Sequence, residues 1–411
     1  MTSSAPPAPA SSPAADRVWT PGWTTAPQPA SAGFTPNWAE EGFDGHTLRQ
    51  VVRTTAGGGA VRIRLSNAYG DRPLEVRGAS VAPAAGGAAV HGDRARRASF
   101  SGSGAVLVPV GGEAVSDPVP LPVAPFDRVA VTLHLGPETG PATFHAQGHT
   151  ASHRAAGDRL GDTDGSAFTE ATHSWYYLTG LDVHGPAPER RAVAAIGDSI
   201  TDGFGSVPGT DTRYPDALAE LLASRGEPRA VLNAGIGGNR LLTDSAWYGE
   251  RSPARLERDV LRRPGVGVLV VLQGITDIGF PDWAGEPTAA PAPPVDAGAL
   301  IAAHRAVADR ARAAGLRTVG ATLLPYAGSQ FWSERGERTR AEVNAWIRGS
   351  GGHDAVADTA AALADPGDPL RLRPSFDSGD RLHPNPDGFR TLAATVADAL
   401  KEAESAPPRH P

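Results

Sequence analysis

The stretch AVAAIGDSITDGFGS, residues 192–206, runs from five apolar residues into a glycine, then Asp198, Ser199 and a glycine-rich turn. A short apolar run bounded by turn residues reads as a buried strand. Outward from it the same pattern returns. Apolar strand candidates lie at Ala230–Asn233, Val266–Leu272, Thr318–Leu323 and Ala355–Val356, with helical stretches at Tyr214–Arg225, Ala299–Ala314 and Arg335–Arg348 between them. A last helix is expected over Pro386–Glu402, with proline in its first turn. Strands alternating with helices predict a parallel sheet covered on both faces. In such sheets ligands bind beyond the carboxyl ends of the strands, and Ser199 falls at one of those ends.

Upstream of Pro186–Arg190 the pattern changes. Val61, Ile63 and Leu65 alternate with polar residues, as do Val129, Val131, Leu133 and Leu135, and then Trp175, Tyr177, Thr179 and Leu181. Period-two alternation between Gly/Pro turns predicts half-buried antiparallel strands and an all-β sandwich. The expected organisation is a low-complexity, disordered segment over 1–16, a β-sandwich over 17–186, an α/β domain over 187–402 and a disordered tail over 403–411. Residues Trp283 to Pro294 (WAGEPTAAPAPP) read as a loop insertion after a site-bearing strand, a spacer before a wall of the pocket.

Composition excludes several functions. The chain of 411 residues holds 49 glycines and 38 prolines, without the period of three that collagen needs. It has no cysteine, which removes disulfides, thiolate metal sites and cysteine nucleophiles. The net charge of −7 argues against nucleic acid as a partner. No apolar run approaches the roughly 18 residues of a membrane span. The arginines are scattered, and Lys401 is the one lysine. The N-terminal segment lacks the basic start and apolar run of a secretory signal. A cytoplasmic location is therefore expected for the chain as it stands, and a secreted one if a signal has been removed.

Four loops of the α/β region carry chemistry. Gly197-Asp198-Ser199-Ile200 offers an exposed hydroxyl, although Asp and Ser also suit a helix cap. Gly235-Ile236-Gly237-Gly238-Asn239 lets backbone N–H groups approach a ligand closely, and alone reads equally as a turn. Gln273-Gly274-Ile275-Thr276-Asp277 places polar groups at a third strand end. Asp380 and His383 stand three apart before the last helix, where Asp380 could also pair simply with Arg381. A serine nucleophile needs a base, and the base an orienting carboxylate. Nucleophile, glycine donor, polar donor and acid–base pair on four loops of one sheet point jointly to serine catalysis. His145, His149 and His153 recur every fourth residue, but Gly148 and the strand-like surroundings argue against a helical metal face.

The motifs AIGDSITDGFGS, NAGIGGNRLL and SGDRLHPNPDGF resemble the SGNH (GDSL-type) serine hydrolases. More closely, they resemble actinobacterial members with an N-terminal β-sandwich, related to acetylxylan-type esterases. The LRQVVRT and VRIRLSNAYGDRPLEV stretches resemble that subgroup too. The resemblance runs from Trp19 to Leu400. It implies a flavodoxin-like α/β catalytic domain and an esterase of short acyl or acetyl groups on a carbohydrate or small molecule. It also implies Ser199 as nucleophile, with His383 and Asp380 completing the triad. Ser199, Gly238 and Thr276 would form the oxyanion hole, Asn239 and Asp198 would support it, and neither metal nor cofactor is required. One block departs: the family pattern Gly-x-Asn-Asp stands here as Gly274-Ile275-Thr276-Asp277. Loss of one oxyanion donor typically costs about 3–4 kcal/mol. Thr276 as a substitute aided by Asn239 or water, a slow enzyme, and a different acyl transfer all remain open. An acyltransferase or cyclase using the same acyl-enzyme, and a catalytically weakened carbohydrate-binding protein, are the alternative functions.

Overall fold

The computed structural model describes residues 17–283, 286–349 and 352–405, so the disorder expected over 1–16, and all but 403–405 of the tail expected over 403–411, lie outside the described residues. Two antiparallel sheets pack face to face in the N-terminal half. The four-stranded sheet runs in the order Arg17–Thr24, Leu178–Pro186, Ala60–Ser66, Glu113–Val115. The larger sheet centres on His46–Arg53, Arg128–Leu135 and Leu74–Gly86. Along Ala60–Ser66, Val61, Ile63 and Leu65 are buried while Arg62 and Arg64 are half-buried. Arg62 and Arg64 both reach Asp182. The alternation expected over Trp175–Leu181 does not form one strand. Trp175–Tyr176 pairs with Phe144–His145, and a separate strand begins at Leu178. The chain breaks at Tyr177, whose φ is +58° and whose N–H donates to Thr143 O instead. Every residue from Trp175 to Leu181 is buried, so period two carries no information there.

Five parallel strands form the second sheet: β1 (Ala192–Gly197), β2 (Val231–Gly235), β3 (Val266–Leu272), β4 (Arg317–Ala321) and β5 (Ala355–Ala357). Their order is 2-1-3-4-5, with all four pairings parallel. β1 and β3 are buried along their whole length, because helices cover both faces. The chief helices are α1 (Tyr214–Ser224), α2 (Ala297–Ala313), α3 (Glu334–Gly349) and α4 (Pro386–Ser405). α4 runs beyond the expected end at 402, since Ala403 is buried and Glu404 accepts hydrogen bonds from Arg190 and Arg229. Among the described residues no helix is long and apolar enough to cross a membrane.

The two units are welded together. Ala56 and Phe126 of the sandwich pack against the core of the α/β unit. Tyr69 donates its hydroxyl to Glu250 Oε2 (2.6 Å), Arg53 donates to Glu220 (2.7 Å), and the Val231 N–H donates to Thr55 Oγ1 (3.1 Å). The order 2-1-3 places a reversal of winding between β1 and β3, and the crevice at such a reversal is where an open α/β sheet holds its ligand.

Candidate active site

Ser199 leaves β1 as the first residue of a four-residue helical turn, Ser199–Asp202. Asp198 caps the turn by accepting from the Ile200 N–H (3.1 Å), and Gly203 ends it at φ +117°. The turn cannot sit closer or bulkier. A Cβ on Gly197 would overlap Thr201 and Leu272, and one on Gly235 would overlap Asp202.

Across the crevice, the loop before α4 brings His383 to the serine. Ser199 Oγ lies 2.7 Å from His383 Nε2, and His383 Nδ1 lies 2.6 Å from Asp380 Oδ2. An ionised carboxylate can only accept, so Nδ1 carries the proton and Nε2 is left to accept from the serine hydroxyl. The other Asp380 oxygen accepts from the N–H groups of Leu382 and His383, both at 2.9 Å. Burial acts to raise the Asp380 carboxyl, but the hydrogen bond and charge of His383 and these N–H groups outweigh it and hold the group at about 2. Arg381 does not pair with Asp380. It turns away at φ +65° and donates to Gly328 O (3.1 Å). Asn385 accepts from the N–H groups of Asp387 and Gly388 (3.0 Å each), which fixes the start of α4 and the loop ahead of it. The Phe204 ring lies 4.4 Å from the His383 ring, centre to centre.

Gly238 follows β2 at φ +74°, and a Cβ there would overlap the Tyr248 ring. The residue before it is pinned: the Gly237 N–H donates to Asp202 Oδ2 (2.8 Å). Thr276 lies in a short helix after β3, buried and lining the cavity. The next residue, Asp277, accepts from the N–H groups of Leu241 and Leu242, locking the second and third loops together.

Asn239 is not brought to the cavity. Its Oδ1 accepts from Ser252 and Arg255, and its Nδ2 donates to Tyr248 O and Glu250 O. With both ends of the amide committed inside the loop, the expected support of the oxyanion site is removed. Asp198 lies fully buried beneath the serine, where burial pushes its carboxyl up to about 7. The Ile200 N–H works against that rise and the nearby Asp277 carboxylate adds to it.

A cavity of about 180 Å³ holds Ser199, Gly238, Thr276, Asp380 and His383 in its wall. The rest of the wall is chiefly aromatic, with Phe34, Phe204, Tyr248, Phe280, Trp283 and Phe331. Trp283 thus makes the beginning of the expected spacer a wall of the pocket. The insertion is tied down further along, where Thr288 Oγ1 meets the Tyr248 hydroxyl (2.7 Å). Phe34 and Gln147 come from the sandwich. Sequence reasoning missed both, and neither lies in a strand-to-helix loop that would have flagged it.

The three histidines at spacing four separate. His145 is in a two-residue strand, His149 has φ +52°, and His153 lies in the strand Ser152–Ala156. His145 instead bridges the units, with Nδ1 at 2.9 Å from Ala26 O and Nε2 at 2.9 Å from Asp202 Oδ1. Burial works against a charge on this ring, but the Asp202 carboxylate outweighs it and raises the pKa.

Residues 195–391 match the model of the GDSL-like lipase/acylhydrolase family. The match falls on the α/β unit with its five-stranded parallel sheet and covers just under half of the chain. Solved structures similar to the chain include an acetylxylan esterase from Geobacillus stearothermophilus. It is 22% identical, with 53% of this chain and 95% of that chain covered, at a TM-score of 0.39. A GDSL-like lipase from Bacteroides thetaiotaomicron is 15% identical over 52% of this chain and 89% of its own, at 0.37. An α/β hydrolase from the metagenome of Lake Arreo is 18% identical over 53% and 99%, at 0.40. The comparison with curated proteins gave no match.

Proposed function

We propose that the protein is a serine esterase that cleaves carboxylic esters through an acyl-enzyme. The observation that carries this reading is the continuous relay Ser199 Oγ–His383 Nε2 and Nδ1–Asp380 Oδ2, open to a cavity beside Gly238. His383, held in one tautomer by Asp380, takes the Ser199 proton as Oγ attacks the ester carbonyl. The tetrahedral oxyanion is held by the backbone N–H groups of Ser199 and Gly238, with the Thr276 hydroxyl as a third donor. His383 then protonates the departing alcohol. Water activated by the same ring releases the acid.

The aromatic wall favours an ester with an apolar or aromatic body, such as a small-molecule ester or an acylated aryl group. Fixed polar groups near the serine orient it. The test is a short-chain aryl ester together with a fluorophosphonate probe. Wild-type protein is expected to turn over the ester and to be labelled once, at Ser199. Ser199→Ala is expected to lose both, and an alanine variant of unchanged activity would sink the reading.

A further inference from the structure

The wall that the β-sandwich lends to the cavity carries a polar side chain with an unusual environment. Gln147 is only 7% exposed, and its Oε1 is buried with no hydrogen-bond partner among the described residues. A buried amide oxygen without a partner is costly, and native interiors hold few of them. Its place is also specific. Oε1 packs on the backbone of Gly237, where any Cβ would overlap it, so the absence of a side chain at 237 makes the room for Gln147. Gly237 is the residue anchored by Asp202, and Gly238 is next in the chain.

The backbone that carries Gln147 is held on both sides. The His145 ring is clamped between Ala26 O and Asp202. The Ala146 N–H donates to Gln28 Oε1 (3.0 Å), and Ala146 O accepts from Ser174 Oγ (2.8 Å). The Gly148 N–H donates to His173 O (2.6 Å). A rigid segment therefore holds an amide against Gly237, in the wall of the cavity that also contains Ser199, Thr276 and His383. With the carbonyl end packed on Gly237 and the residue in the cavity wall, the NH₂ group is the end of the amide left for a ligand.

We propose that Gln147 is a substrate-binding residue supplied by the β-sandwich, its Nε2 donating a hydrogen bond to an oxygen of the ester held beside Gly238. The proposal rests on the esterase reading above and adds a group from the other domain to that site. The unpartnered Oε1 stays against Gly237, and the ester takes the donor end of the same amide. The matching substrate has an oxygen on the Gly237–Gly238 side and an apolar body against Phe204, Phe280 and Phe331.

The test is Gln147→Met, which keeps the length and approximate volume of the side chain and removes the amide. Wild type and variant are compared by thermal melting and by kcat/KM on p-nitrophenyl acetate and butyrate. The expected result is a roughly 10- to 100-fold fall in kcat/KM, the worth of one substrate hydrogen bond. Tm is expected to stay level or rise, because a buried unpaired amide oxygen has gone. Wild-type kcat/KM in the variant overturns the proposal. So does a lower Tm accompanying the lost activity, which marks Gln147 as a packing residue. Failure of the esterase reading shows instead in the wild-type protein, as neither labelling nor turnover, and takes the proposal with it.

Discussion

Asp198 precedes the candidate nucleophile in a fully buried position, with Oδ2 unpartnered and Oδ1 capping the turn that carries Ser199. Its carboxyl is raised from the ordinary 3.8 to about 7, first by burial and then by the Asp277 charge. A raised carboxyl contributes stability that is fully present below its unfolded value. Between about pH 4 and pH 7 the unfolded chain gives up this proton while the folded chain still holds it, so the contribution is lost as pH rises. Asp198→Asn removes the titration but keeps an oxygen for the Ile200 N–H. The variant is expected to match wild type in Tm near pH 4 and to exceed it above pH 7. Parallel Tm–pH curves would refute this origin. The residues of the relay were legible in the sequence because each follows a local pattern, a strand end or an Asp and His three apart. Asn239 was expected only as a support of the oxyanion site, and the direction of its amide is set by Arg255 and Ser252, more than ten residues away.

At the level of elements, the turn Ser199–Asp202 is too short to hold itself in place. Asp202 fixes it from both sides, accepting from the Gly237 N–H of the second loop and from His145 of the sandwich. His145 also stacks on Trp175, with ring centres 5.5 Å apart. His145→Phe keeps the ring and removes the donor, leaving the Asp202 carboxylate buried beside one N–H. Breaking a buried ion pair in this way destabilises by on the order of 3–5 kcal/mol. A marked drop in Tm is expected from chemical or thermal denaturation, with part of it restored when Asp202→Asn is added. If the double variant is no more stable than His145→Phe alone, the unpaired charge is not the cause. The helices and strands of this unit were legible to within a few residues, because parallel strands buried on both faces are continuous apolar runs. The Trp175–Leu181 stretch was not, because complete burial erases the alternation on which the reading depended.

For the whole molecule, the sandwich completes the α/β unit in three ways. Ala56 and Phe126 cover part of its core, His145 neutralises Asp202, and Phe34 with Gln147 closes the cavity. Residues 187–405 expressed alone would expose all three places to water. The fragment is expected to be poorly soluble, or, where soluble, to react with a fluorophosphonate at least ten times more slowly than the full chain. Equal labelling rates would show the sandwich to be dispensable to the site.

The sequence by itself determined the two-part architecture and the four loops that meet at the sheet's carboxyl edge. It could do so because apolar periodicity and turn residues are local, and a parallel sheet gathers its strand ends without further instruction. Only the tertiary structure decided what surrounds those loops. Phe34, His145 and Gln147 come from the other domain, and Phe331 from a distant stretch of the same one, where it meets Phe280 and Trp283 just beyond the third loop. Their meeting depends on how two finished cores dock, through contacts such as Tyr69 with Glu250 that join residues 181 apart in the chain. No short-range pattern encodes such a contact. It is fixed by the shape and polarity of surfaces that exist only once both units have folded.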